Sequence, residues 1–197
     1  MLSEMILFME MKQMEGISLI DSLFFDTDCI SAFLWVNEEF LLSRLYPTKI
    51  IIPQEVYKEL SNPSILWMKK RIDILVNQNI VIIENIDVDS DEYEIYYKLT
   101  QAPEGRHKII GKGEAASISL AKKHGGILAS NNLKDIKGYI DEFNLKHITT
   151  ADILVEAYKK GLIDEKQGNQ IWKNMLQKKR KIGGTSFSSY LLQINSK

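Results

Sequence analysis

Short, nearly continuous apolar runs alternate along this chain with longer segments of helical period, and that alternation restricts the fold more than any other feature. The runs are residues 23–25, 50–52, 81–83, 127–129 and 146–149, rich in Ile, Leu and Phe. Strands this short and this apolar are those that a sheet buries on both faces. Between them, Ile30, Phe33, Leu34 and Leu41 form one helical stripe. Residues 54–60 and 65–77 read as two further helices, separated by the break at Asn62-Pro63. Asp89 is expected to cap a helix over 90–99 with Glu92 at its third position. Residues 114–123 should form a helix stopped by His124-Gly125-Gly126. Ile153, Leu154, Ala157 and Tyr158 stripe another, ending at Gly161, and Ile171, Trp172, Met175 and Leu176 stripe a last one before Gly183-Gly184. Strand–helix alternation predicts an α/β fold of three layers, α/β/α, around a central, mostly parallel sheet. The expected organisation is an N-terminal extension over 1–19, an α/β domain over 20–150, and C-terminal helices over 151–197 packed on the same domain.

In a parallel sheet the chemistry lies at the carboxyl ends of the strands, so the acids at those ends are the candidates. Asp26 directly follows the first apolar run, with Asp28 two residues on. Glu55 and Glu59 lie after the second run, four apart and on one helix face. Glu114 opens the helix after Gly111-Lys112-Gly113, and Asp135 lies just past the fourth run. Four segments thus deliver an acid to one edge. Clustered carboxylates repel and hold their protons more tightly unless a cation joins them. Mg²⁺ or Mn²⁺ prefers such oxygen ligands, and one or two of these ions can promote phosphodiester hydrolysis. Singly, each acid also has a structural reading: Asp26 as a helix cap, Glu59 as a solvated face, Glu114 and Asp135 as first-turn acids favoured by the helix dipole.

Other features bound the alternatives. His107, His124 and His147 have no ligand-like spacing, which argues against zinc. The single cysteine, Cys29, excludes an internal disulfide and suits a reducing cytoplasm. No apolar run approaches the roughly 20 residues of a membrane helix, and the opening MLSEMILFMEMKQMEG is too acidic for a secretory leader. The net charge of −1 divides unevenly: residues 161–197 carry seven Lys or Arg against two acids, leaving −6 on the remainder. Gly111-Lys112-Gly113 lacks the rest of a phosphate-binding P-loop.

Three stretches carry a family resemblance. FFDTDCISAF resembles the opening of a PIN domain, IIIPQEVYKEL its second motif, and GKGEAASISLAKKHGGILASNNLKDI the remaining half of its site, ending in the Asn-Asn-x-x-acid pattern of VapC-like toxins. The resemblance covers about residues 20–150, and the tail looks like the helical end of longer PIN-like proteins. It implies a Mg²⁺- or Mn²⁺-dependent ribonuclease with Asp26, Glu59, Glu114 and Asp135 as catalytic acids, of which Asp26, Glu114 and Asp135 hold metal. By the same pattern Glu59, not Glu55, is the site acid. Asp28 stands where the family usually shows Asn or Ser. Many PIN domains carry Asp directly after the fourth strand, where this chain has Ser130, Asn131 and Asn132; whether Asp135 or Asn131 takes the fourth place is left open.

The implied substrate is RNA, with an antitoxin protein and a second copy of the chain left open as partners. Thr27, Asp28, Asn131 and Asn132 are candidates to position phosphate or the acids, and Arg106 and Lys108 to contact substrate. Lys178, Lys179, Arg180 and Lys181 read either as phosphate contacts or as cations at a helix C-terminus. Lys69, Lys70 and Arg71 read as a solvated face. Trp35, Trp67 and Trp172 read as core, as does Cys29.

Overall fold

The computed structural model describes residues 21–102 and 108–196. The N-terminal extension over 1–19 and the candidate Arg106 lie outside the described residues. A five-stranded, wholly parallel sheet forms the centre, in the order β3-β2-β1-β4-β5. The strands are β1 (Leu23–Phe25), β2 (Ile50–Pro53), β3 (Val81–Glu84), β4 (Ile127–Ala129) and β5 (Lys146–Ile148). The helices in chain order are α1 (Thr27–Val36), α2 (Glu39–Leu45), α3 (Gln54–Leu60), α4 (Leu66–Asn77), α5 (Asp91–Thr100), α6 (Lys112–His124), α7 (Leu133–Phe143), α8 (Thr150–Lys159), α9 (Glu165–Gln177) and α10 (Phe187–Asn195).

Successive strand residues point to opposite faces, and the two faces bury different partners. Leu23, Phe25, Ile50 and Ile52 join a core built with α1–α4 and α8–α10. Phe24, Ile51 and Leu128 join a second core with α5, α6 and α7. This is the three-layer α/β/α arrangement. The C-terminal helices share the first core: Trp172, Met175 and Phe187 are fully buried in it. Gly168 makes that packing possible, since a Cβ there would lie 2.3 Å from the Phe187 ring.

The sheet order also fixes where a ligand can enter. From β1 the chain winds outward to β2 and β3; it then returns to place β4 on the other side of β1, and β5 beyond that. The direction of winding reverses between β1 and β4, and a crevice opens outside their carboxyl ends.

Several local expectations are adjusted. The stripe from Ile30 to Leu41 is two helices: Asn37 adopts a left-handed conformation (φ +63°) and ends α1, which Asn tolerates better than most residues. Arg71 fastens that corner and is no solvated side chain. It pairs with buried Glu39 at 2.5 Å and donates to the Leu34 carbonyl and to Asn37. Ser90, not Asp89, caps α5. The helix α10 was not expected, although Phe187, Tyr190, Leu191 and Ile194 recur at helical spacing and pack on the first core; Ser186 and Ser189 cap it. Trp172 and Cys29 are buried as expected, whereas Trp35 and Trp67 meet edge to face at 5.0 Å near the surface. Among the described residues no helix is long and apolar enough to cross a membrane.

Candidate active site

Asp26 stands at the point where the winding reverses. Its backbone N–H donates to the Ala129 carbonyl at 3.0 Å, holding it between the ends of β1 and β4. Its two carboxylate oxygens have different fates. Oδ1 accepts the Cys29 N–H at 2.7 Å and so caps α1. Oδ2 is buried and makes no hydrogen bond among the described residues. Capping and site chemistry are therefore compatible, one oxygen serving each. Burial pushes the Asp26 carboxyl up to about 7; the nearby Ser130 hydroxyl, which does not reach hydrogen-bond geometry, and the Cys29 amide oppose the rise, while the charges of Asp28 and Glu114 add to it.

Glu114 lies in the first turn of α6, where the helix dipole favours an anion. Its Oε2 accepts back from the Gly111 N–H at 3.4 Å, and its Oε1 accepts from the Asn132 side-chain amide at 2.7 Å. Burial still raises its pKa, against the pull of Asn132 and Gly111 and with added repulsion from Asp135 and Asp28. Asp135, exposed in the first turn of α7, accepts from the same Asn132 Nδ2 at 2.8 Å. One amide nitrogen with two hydrogens thus bridges two carboxylates, while the Asn132 N–H donates to Ser130 Oγ at 3.2 Å.

Glu59 is engaged differently. Its Oε1 accepts the Gly113 N–H at 2.9 Å and its Oε2 accepts the Thr27 hydroxyl. Both oxygens tie the first turn of α6 to the first turn of α1. Gly113 has to be glycine for this: a Cβ would stand 2.8 Å from Glu59 Oε2 and 2.9 Å from Thr27 Oγ1. Glu55 is instead paired with Lys58 at 2.8 Å.

The remaining candidates divide. Asp28 is exposed and faces the Arg180 guanidinium at 3.9 Å. Asn131 turns away from the acids: its amide donates to Thr150 Oγ1 and its oxygen accepts the Thr150 N–H, both at 2.9 Å, which fixes the start of α8. Lys108 is exposed, and its carbonyl accepts the Tyr139 hydroxyl at 2.7 Å. His147 donates through Nε2 to the Ser130 carbonyl at 2.8 Å, and burial lowers its pKa, so its ring is neutral and occupied.

Two participants take places that the sequence left open, Ser130 having been noted only as following the fourth run and Arg180 only within the basic run 178–181. Ser130 is fully buried beside Asp26, at the position directly after β4; only its place after an apolar run signals it. Arg180 comes from the turn after α9, where Lys179 has a left-handed φ of +57°. Arg180 and Lys178 both lie over the Trp35 ring, at 5.9 and 5.6 Å. No local pattern links residue 180 to residue 28.

The donor chemistry fits a hard dication: carboxylate oxygens only, one of them an orphaned buried atom. The acids do not form a closed cage, and among the described residues no three His, Cys, Asp or Glu side chains are grouped tightly enough to enclose an ion. The structure couples Asp26, Asp28, Glu114 and Asp135 electrostatically and holds Glu59 as a clamp between helices. A family model described as a PIN domain matches residues 22–196. No curated protein matches the chain.

Proposed function

This chain belongs to the PIN-domain family, and on that footing we propose that it is a divalent-metal-dependent ribonuclease hydrolysing RNA phosphodiester bonds. PIN domains are generally nucleases and usually use divalent metals. The observation that carries the reading is the buried, unpartnered Oδ2 of Asp26 facing the charges of Asp28 and Glu114 at the carboxyl edge of the sheet. Asp26 and Glu114 would hold Mg²⁺ or Mn²⁺, with Asp135 joining directly or through Asn132. Such an ion, when bound, neutralises the acids and polarises both a water and the phosphate under attack.

The chain's own groups do the rest. Oδ1 of Asp26 stays with the Cys29 amide, so Oδ2 is held in one direction. The Glu59 clamp fixes the start of α6 and with it the carboxylate of Glu114. Arg180 faces the acid edge from the outside, where it balances Asp28 and can receive a backbone phosphate. A toxin role within a toxin–antitoxin pair is a narrower form of the same reading. Hydrolysis of this kind does not need the 2′-hydroxyl, so DNA is the competing substrate.

The second reading is a binding module that keeps the fold without cleaving. It draws on the absence of a tight three-acid group among the described residues. One experiment separates them. Purified protein is incubated with end-labelled single-stranded RNA and, separately, DNA of the same sequence, with Mn²⁺, Mg²⁺ or EDTA. The ribonuclease reading expects metal-dependent RNA cleavage that Asp26→Asn abolishes. Cleavage surviving Asp26→Asn refutes it. Intact RNA under every condition, with RNA still bound, favours the binding module.

A further inference from the structure

A cleft of about 230 Å³ lies beside the acid edge, on its β2–β3 side. Gln54 and Asn85 line it directly after β2 and β3, two paired parallel strands whose last residues, Pro53 and Glu84, stand opposite each other. The cleft therefore opens at the same carboxyl edge as Asp26. Ala116, two residues beyond Glu114 on α6, forms part of its floor. The Tyr96 hydroxyl in its wall feels the charges of Glu55 and Glu59, which places the wall beside the Glu59 clamp.

Its lining combines tyrosines and carboxamides with the apolar Ile86 and Val88. Tyr93 and Tyr96 are both half-buried and supply two rings 6.1 Å apart, inclined at 38°. Gln54 and Asn85 line the same cleft and each brings a carboxamide to it. A carboxamide offers one acceptor and two donors, the groups that read the edge of a base. Lys58 stands at the rim, paired with Glu55. The volume falls below the range of about 300–1,000 Å³ typical of drug-sized ligands and suits one planar ring system. An apolar peptide side chain would make no use of the two carboxamides, whereas the edge of a base can hydrogen-bond with them.

We infer that this cleft receives one unstacked base of the nucleic acid strand, from a nucleotide adjoining the phosphate at the acid edge, with Tyr93 and Tyr96 as its stacking surface. The inference rests on the nuclease reading above and adds where a neighbouring base sits. Stacking on aromatic side chains tolerates any base; the carboxamides would add a preference.

The test separates binding from cleavage. The affinity of the full chain for a fluorescent single-stranded RNA is measured by anisotropy in EDTA, where no turnover occurs, and cleavage of the same RNA is measured with Mn²⁺. Tyr93→Ala should weaken binding roughly tenfold or more. Tyr93→Trp, which keeps an aromatic face, should bind close to the parent, and Asn85→Ala, at an exposed side chain, should change the ranking among RNAs of different base composition. Tyr93→Ala binding as tightly as the parent overturns the inference while leaving the nuclease reading in place, and would leave the cleft to a protein partner. Equal losses in Tyr93→Ala and Tyr93→Trp also overturn it, because a stacking role predicts rescue. A parent chain that neither binds nor cleaves RNA or DNA removes the nuclease reading itself.

Discussion

Replacing Asp26 by Asn should make the metal-free protein more stable at alkaline pH, although it should destroy activity. Asn caps a helix about as well as Asp, so the bond from the Cys29 N–H to the side-chain oxygen survives. What disappears is a buried charge. Burial raises the carboxyl from its ordinary 3.8 to about 7, a displacement worth about 4 kcal/mol of folding stability. The sign follows from proton binding. Between the two values the folded state keeps its proton while the unfolded state has lost it, so stability falls as pH rises from about 4 through about 7. Between about pH 5 and about pH 8 the wild-type loss is ~3 kcal/mol. The Asn variant has no such dependence from this position. It does leave an amide N–H₂ where Oδ2 stood, at a cost of about 1–3 kcal/mol. The two proteins should then be near parity at about pH 5, with the variant ahead by about 1–3 kcal/mol at about pH 8.

Urea unfolding in EDTA at both pH values measures this directly. The difference between the two proteins cancels titrating groups remote from Asp26; Asp28 and Glu114, whose charges reach Asp26, lose one repulsive neighbour in the variant, which adds to its advantage at high pH. Adding Mn²⁺ should reverse the order, since an ion bound only to the folded state stabilises by about 2.7 kcal/mol at a hundredfold excess over its dissociation constant. A gap that is the same at both pH values would refute the reasoning, because it would mean that Oδ2 is not the group whose charge is penalised.

Two further outcomes follow from the clamp and from the basic turn. Gly113→Ala drives a Cβ against the Glu59 carboxylate and the Thr27 hydroxyl; since Glu59 is exposed and can swing away, stability should fall by only about 1 kcal/mol. Cleavage should nevertheless fall roughly 100-fold, as misplacement of a supporting group by about 1 Å does elsewhere, and unchanged turnover with an intact fold would rule out a positioning role for the clamp. Arg180→Ala should weaken RNA binding similarly for all sequences and reduce the slope of log affinity against log salt by about 1; an unaltered slope would show that the guanidinium serves contacts within the chain, to Asp28, Trp35, Ser31 and the Lys178 carbonyl.

The architecture was legible because it depends on patterns that are local in the chain. All five strands lie where apolar runs predict them, and α3 spans the residues its period implies. Where local reading failed, a nonlocal or a weak signal decided. The break at Asn37 rests on Arg71, thirty-four residues away. The helix α10 has a stripe of its own, Phe187, Tyr190, Leu191 and Ile194, but a short one beyond Gly183-Gly184, and Phe187 fits against the distant Gly168. At the site, the sequence could place the acids on one edge but could not rank them. Side-chain type says nothing of whether a carboxylate oxygen already has a donor. Asn131 and Asn132 are adjacent and alike in composition, yet one fastens α8 and the other bridges Glu114 to Asp135. The direction of each follows from the turn after β4, which only the folded chain specifies.

That difference in donors bears on where an ion would matter most. Glu114 and Asp135 share an amide that offsets part of their repulsion without any cation, and Glu59 has a donor for each oxygen. Of the four proposed site acids, Asp26 is the one that keeps a buried oxygen without a donor among the described residues. A carboxylate in that setting either holds its proton to near neutral pH or takes a cation. On the proposed reading, Asp26 Oδ2 would supply most of the affinity for a dication, and Glu114 and Asp135, held by Asn132, would shape the pocket around it. An arrangement in which every acid were equally orphaned would repel itself apart in the metal-free protein. The uneven distribution of donors lets the chain fold first and still leaves one oxygen that a doubly charged ion satisfies better than a proton.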